Sequence, residues 1–505
     1  MSLGIGLDIG TTGCKACVFD PKGNLISRAY REYGMSCDAN GKAEQDAQKV
    51  WEAAVAVLTE AVATVDKPLV IAISVSVQGD ALVAVDSKNR PVYPAILGMD
   101  YRSQPQALLC EEKFVARRLF DVTGMRAHPM NTLTKILWLR EHQPEAYTAA
   151  FRLGTYADYI LVNLGAAPVI DLTMASRTMA YDIHQGCWSA EISETFDVDT
   201  ALFAKPVPSG TIAGTLAPEL AKTTGLSTEV KIVTGGHDQT CAALGAGAVK
   251  SGRGVVSTGT AEVFSTVLDT CSISDALYNG YYPCYHHANP GKFFTFSLNH
   301  SGGILLRWFR DNLGKTDINE AREKGIDPYA LITSRISDKP SDLMMLPHFN
   351  GSGTPTCDPD SRGVILGLSL NTTRYDIAQA IMEALCFELR LNLETMQQAG
   401  ITVNDIIAVG GGASSPRWLQ MKADILDSPL KTLVCHEAAC LGAAMLAMTA
   451  AGVYPSVEDA AQEMVKYADT FSPNPPLVQE YQQLMEKYRV LYCNIKQLLP
   501  RGFSL

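Results

Sequence analysis

The chain has no stretch approaching the ~18 consecutive apolar residues that a membrane-spanning helix requires. Its start, MSLGIGLDIG, sets no Lys or Arg ahead of the apolar residues, so the pattern of a secretory leader is missing. Positive charge is also in deficit. The 42 Lys and Arg face 53 Asp and Glu, a net charge of −11, which leaves no basic field for phosphate backbones or anionic lipid. Nucleic acid and membranes are thereby excluded as partners, and a cytoplasmic protein is expected. Paired cysteine spacing is lacking too: 13 cysteines, an odd number, lie scattered as reduced thiols would. Cys14 and Cys17 form a CxxC, but positions three apart on a strand point to opposite faces, which separates the thiols. The groups Cys284, His286, His287 and Cys435, His436, Cys440 lack the paired spacing of a structural zinc site.

What is present is length and apolar content. At 505 residues and 47% hydrophobic the chain exceeds one ordinary core, and two domains are expected. Leu3, Ile5, Leu7 and Ile9 alternate with Gly4, Gly6 and Asp8, a strand whose small-residue face would leave room for a ligand. Gly10 to Gly13 reads as a tight turn, Cys14 to Asp20 as the returning strand and Pro21 to Asn24 as the next turn. The device recurs in mid-chain, where VVSTGTAEVFSTVLD (Val255 to Asp269) resembles GLDIGTTGCKACVFD (Gly6 to Asp20). Apolar strands such as Leu69 to Val77 and Lys231 to Thr234 alternate with helical stretches such as Gln48 to Ala63, which predicts α/β architecture. Two duplicated α/β domains are expected, 1–248 and 249–505, with a glycine-rich hinge near 245–255. The helix at Tyr375 to Gln398 shows an Ile377, Ile381, Leu385 stripe and a capping box of Thr373 with Asp376. Beyond about 455 a few helices are expected.

Phosphoryl transfer requires backbone N–H groups around phosphates, a carboxylate for Mg²⁺ and a carboxylate that accepts the acceptor's proton. Asp8 stands before the first turn as a metal ligand, with Thr11, Thr12 and Lys15 as phosphate partners. Ser257, Thr258, Gly259 and Thr260 form the second phosphate turn. Asp238, within GGHDQTCAALGAG, closes an apolar strand where α/β sites gather their ligands. Gly410 to Gly412 let a flat ring approach the backbone, with Ser415 as N-cap and Pro416 opening the helix that follows.

These motifs, with MNTLTKILWLREH (Met130 to His142, including Lys135, Trp138 and Glu141) and GVILGLSLNTTRYDIAQAIME (Gly363 to Glu383), resemble the FGGY carbohydrate kinase family in family order. The resemblance implies two actin-like (ribonuclease H-like) ATPase domains with a central cleft, ATP and Mg²⁺ as cofactors, and a small sugar, ketose or polyol as acceptor. It implies Asp238 as general base and second metal ligand. It also implies Gly411, Gly412, Ala413 and Ser415 at the adenosine, where Trp418, Gln420 and Asp424 look xylulokinase-like. Lys135, Trp138 and Met130 read as core residues.

Acceptor choice is expected from Gln78, Gly79, Asp80, Asp100, Arg102 and His237, whose amide, carboxylate and guanidinium groups suit a row of hydroxyls. Gly79-Asp80 and Gly98 depart from both the xylulokinase and the glycerol kinase patterns. A xylulose-like acceptor is favoured by the adenosine turn, and a homodimer is allowed for. A sugar-responsive repressor would carry a helix-turn-helix ahead of the first strand, and a chaperone ATPase a β-domain after the second half. A catalytically silent sugar- or nucleotide-binding regulator on the same fold is the alternative.

Overall fold

The computed structural model describes residues 2–38 and 41–498. Two mixed sheets carry the molecule. In the first, β1 (Leu3–Ile9), β2 (Gly13–Phe19), β3 (Leu25–Glu32), β4 (Val70–Val77), β5 (Ile212–Thr215) and β6 (Lys231–His237) lie in the order β5-β6-β4-β1-β2-β3. In the second, β7 (Gly252–Thr258), β8 (Glu262–Leu268), β9 (Tyr285–His286), β10 (Phe293–Asn299), β11 (Val403–Val409), β12 (Leu430–Leu433) and β13 (Tyr467–Phe471) lie in the order β9-β10-β8-β7-β11-β12-β13.

The two orders superimpose strand for strand once β9 is set aside as an added edge. β1–β2–β3 and β7–β8–β10 are antiparallel meanders. β4 and β6 follow in parallel beside β1, as β11 and β12 do beside β7. An antiparallel strand closes each far side. The repeat read from two short turns is therefore a repeat of whole sheets.

Helix α1 (Ala47–Val62) buries Val50, Ala54, Val57, Leu58 and Ala61 on the first sheet, one stripe of a 3.6-residue period. Further helices used below are α2 (Thr132–His142), α3 (Leu172–Arg177), α4 (Asp238–Gly245), α5 (Arg374–Gln398), α6 (Pro416–Leu426), α7 (Ala438–Ala450) and α8 (Pro475–Ile495). Helix α5 begins with the expected capping box.

The pair α4 and α7 crosses between the sheets. A Cβ on Gly245 would lie 1.9 Å from the Ala438 carbonyl oxygen, and one on Gly442 would lie 2.0 Å from that of Cys241. Only glycine permits such backbone contact. Helix α4, from the first half, shares a core with Val255, Val267 and Ile407 of the second sheet. Helix α7, from the second half, packs on β1, β4 and β6 of the first.

Two expectations change here. The face of Gly4 and Gly6 does not leave room for a ligand: a Cβ at Gly6 would stand 1.9 Å from the Cys440 carbonyl oxygen, and at Gly4 2.7 Å from Met448 Cγ. The missing side chains make way for α7. And the segment beyond 455 is not helical throughout, because Tyr467–Phe471 pairs with β12 as the sheet's last strand. Cys14 and Cys17 enter different cores on opposite faces of β2, as the strand geometry requires.

Candidate active site

Each sheet presents a turn after its first strand. In the first, Gly10 N–H donates to the Gly13 carbonyl at 3.0 Å. The turn is braced from behind: Tyr33 Oη donates to the Gly10 carbonyl at 2.6 Å, and Gln45 Nε2 to that of Thr11, also at 2.6 Å. Gln78 is buried beside it and gives Nε2–H to the Gln45 amide oxygen at 3.1 Å. Thr11 is half-buried and Thr12 exposed at the tip. Asp8 stands one residue before the end of β1, its Oδ1 accepting from Ser76 Oγ at 2.7 Å, and burial raises its pKa above the usual carboxylate range. Lys15 is turned to Glu437, with Nζ 2.8 Å from Oε2.

In the second turn, Gly259 N–H donates to the Ala261 carbonyl at 2.9 Å and Gly303 N–H to that of Gly259 at 2.7 Å. Gly259 and Thr260 are exposed, and Ser257 is half-buried one residue before the end of β7. Thr258, Gly259, Thr260, Gly411, Gly412 and Ser415 line one cavity of about 770 Å³. Ser415 caps α6 by accepting from Trp418 N–H, with Pro416 in the first turn. Ala413 faces the other way, into the core under the turn.

Residues that the motifs did not signal complete this cavity: Ile304, Arg307, Tyr329, Ser334 and Arg417. Arg417 Nη1 pairs with Asp338 at 2.6 Å, closing one edge. Tyr329 and Ser334 lie on and after a short helix that carries no motif, so nothing in their local pattern marks them.

The acceptor side lies where β6 meets α4. Asp238 is the first residue of α4 and retains a third of its side-chain surface open. Its surroundings are nonetheless poor in water: burial, and after it the charge of Asp8, push its pKa up to about 7. His237 Nε2 lies 3.2 Å from Asp238 Oδ1, and burial holds the imidazole well below its usual pKa, hence neutral.

Asp80 sits at positive φ (66°), buried, and grips the equally buried Arg177 through Nε at 3.0 Å and through Nη2. Arg177 has no sequence motif, but it ends α3, a helix opened by Asp171, which accepts from Met174 N–H. Lys135 is enclosed in α2 and donates to the carbonyls of Asp80 and Met130; burial pushes it down to about 7. Asp100 and Arg102 satisfy one another, with Nε 2.9 Å from Oδ1, while Arg102 also reaches Glu44 at 2.6 Å and covers the Trp138 ring at 4.8 Å. A Cβ on Gly79 would meet His237 Nε2 at 2.6 Å.

No group of three or more His, Cys, Asp or Glu side chains able to hold a metal occurs among the described residues. No helix among them is long and apolar enough to cross a membrane.

Comparison with known proteins identifies the family. Residues 3–245 match the N-terminal domain of the FGGY family of carbohydrate kinases, and residues 254–451 match its C-terminal domain. A xylulose kinase of Lactococcus lactis subsp. lactis (strain IL1403) is 30% identical over 504 residues, spanning 99% of this chain and 98% of the relative. A gluconokinase of Bacillus subtilis (strain 168) is 28% identical over 504 residues, spanning 99% of this chain and 96% of the relative. In three dimensions the crystal structure of a ligand-bound xylulose kinase from Lactobacillus acidophilus matches 98% of the chain and 99% of its own at a TM-score of 0.89 and 23% identity. The chain therefore belongs to the FGGY family of carbohydrate kinases, phosphotransferases with an alcohol group as acceptor.

Proposed function

We propose that the protein transfers the γ-phosphoryl group of ATP to a hydroxyl of a small neutral ketose or polyol, with a xylulose-like ketopentose as the first candidate. The observation that carries this is the placement of Asp238 as the first residue of α4, a third of its side-chain surface open, with burial and the charge of Asp8 raising its pKa to about 7. A base poised near neutrality takes the hydroxyl proton as the bond to phosphorus forms. The 1–248 half supplies this base and the acceptor contacts, and the 249–505 half supplies the nucleotide cavity.

ATP fits the 770 Å³ cavity through Gly259, Thr260, Gly411, Gly412 and Ser415, with Ser257 and Thr258 behind the turn. Thr11 and Thr12 would contact the phosphates from the other turn. Lys15 would have to leave Glu437 to join them. Asp8 and Asp238 suit Mg²⁺, which keeps most of its waters and takes one or two carboxylates plus substrate phosphates, so the lack of a three-residue cluster among the described residues agrees with it. When bound, the ion offsets charge on the phosphates.

The charge balance favours a neutral acceptor over a sugar acid. Arg177 is matched by Asp80, Arg102 by Asp100 and Glu44, and Glu437 by Lys15 and Arg28; Lys135 donates only to carbonyls and is pushed down to about 7, and Asp8 and Asp238 have no Lys or Arg paired with them among the described residues. A carboxylated substrate would enter a field of its own sign.

The test is ADP release against ketopentoses, tetruloses, polyols and aldonates with a sugar-free blank. Ketopentoses should exceed the blank by the widest margin and aldonates by the narrowest. A panel in which no polyhydroxy compound raises ADP release overturns the proposal and favours a silent binding protein.

A further inference from the structure

The turn of the second half stands on a buried ion pair. Lys422, in the middle of α6, sets its ammonium against Glu262 Oε2, and the two side chains are 1% and 0% exposed. Glu262 opens β8 and lies directly across from Thr258, the last residue of β7, so the two flank the turn at 259–261. The same Oε2 accepts from the Thr258 hydroxyl at 2.6 Å. The ammonium also lies over the Trp418 ring at 4.8 Å. Thr258 and Trp418 both line the nucleotide cavity, whereas Glu262 and Lys422 lie behind its wall.

Charges taken out of water lose more than their attraction returns unless further hydrogen bonds satisfy them. Here one carboxylate oxygen takes both contacts, and Oε1 is buried with no hydrogen-bond partner among the described residues. An apolar pair of like volume would hold the core as well. What the ion pair adds is geometry. A Cβ on Gly412 would lie 2.6 Å from Thr258 Cβ and 2.8 Å from its Cγ2, and one on Gly410 would lie 2.9 Å from the Thr258 carbonyl oxygen. The glycine turn therefore rests on Thr258, whose hydroxyl is drawn to Glu262. A Thr258 released from that carboxylate has other χ1 wells open to it, each of which moves a branch at Cβ beneath the glycines. We propose that Glu262 and Lys422 are positioning residues for the nucleotide. Glu262 fixes the Thr258 rotamer, Lys422 ties that carboxylate to the helix following the glycines, and the turns at 259–260 and 410–412 are thereby held in one register.

This rests on the reading that the cavity takes ATP. The readouts are ADP binding in the presence of Mg²⁺, measured by calorimetry, and steady-state kinetics. Lys422→Met combined with Glu262→Leu removes both charges together and should weaken ADP binding and raise the ATP KM about 5- to 20-fold. The sugar KM should stay within about twofold, kcat at saturating ATP within about threefold and the melting temperature within about 5 °C. Lys422→Met combined with Glu262→Gln keeps an acceptor for the Thr258 hydroxyl and should recover most of the loss. Thr258→Val leaves the ion pair intact, so it stays readable should the paired variants fail to fold. It should raise the ATP KM about 3- to 10-fold, and add less than about twofold once Lys422→Met and Glu262→Leu are present. An unchanged ATP KM in Thr258→Val, equal losses with Leu and Gln at 262, or a sugar KM that rises in step with that of ATP would each overturn the proposal. A parent protein that binds no ADP would remove the nucleotide reading of the cavity and this inference with it. A parent that binds ADP no more tightly than its variants leaves that reading standing and overturns the inference alone.

Discussion

The ends of β1 and β7 occupy the same place in two sheets of matching strand order, yet the next-to-last residue of one is Asp8 and of the other Ser257. The helices that follow the outer parallel strands differ in the same sense. Helix α4 opens with Asp238, whose carboxylate stays a third open; α7 is preceded by Glu437, which is tied down by Lys15 and Arg28, both at 2.8 Å. On the proposed reading, the first half keeps its acids for chemistry. The other has replaced one acid by a hydroxyl and uses the second to bind the halves together. The two halves of a duplicated frame thus differ in charge at two corresponding places.

The sharpest way to break this contrast is to equalise it. Asp238→Ala should lower kcat by about 10² to 10⁴, the usual range for a lost general base, with the ATP KM unchanged; steady-state kinetics on folded protein reads it. The opposite half is probed by Gly412→Val. A Cβ there would lie 2.6 Å from Thr258 Cβ, so the ATP KM should rise about 10-fold or more while sugar binding measured by calorimetry stays put. Lys15→Met should cost up to about 1 kcal/mol of stability, as part-exposed ion pairs do, and leave the ATP KM within about threefold. A tenfold rise would instead put that ammonium on the phosphates.

The smallest effect concerns Glu383, the acidic residue that closes the second family signature. It is buried in α5, accepts from Ser341 N–H at 3.0 Å and Tyr481 Oη at 3.0 Å, and burial pushes it up to about 7 from an ordinary 4.5. Between those values the folded chain holds a proton that the unfolded chain has released. Stability therefore falls as pH rises through that window. Glu383→Gln should flatten this dependence and raise the melting temperature above pH 7 by about 1–3 °C; an unchanged thermal profile would place the pH response elsewhere.

What the sequence revealed was what is local. The two β-turns, the capping box at Thr373 and Asp376, the Ser415-Pro416 helix start and the strand ahead of Asp238 are each written within a dozen residues, and each forms as expected. What it concealed depends on partners distant in the chain. The small face of β1 was legible as small, but not that α7 fills it. Asp80 was legible as a polar residue in a loop, but its capture by Arg177 depends on where α3 ends, and Lys15 and Glu437 meet only because α7 returns to the first sheet. Tyr467–Phe471 carries no long alternation, and its strand state follows from the free edge of β12.

The glycine crossing of α4 and α7 has a consequence for how the molecule can be dismantled. Each sheet borrows a covering helix from the other half, so a fragment ending near residue 248 would leave the α7-facing side of β1, β4 and β6 bare and greasy. Neither portion makes a self-sufficient module, and heating the intact chain should melt both sheets in one event rather than two.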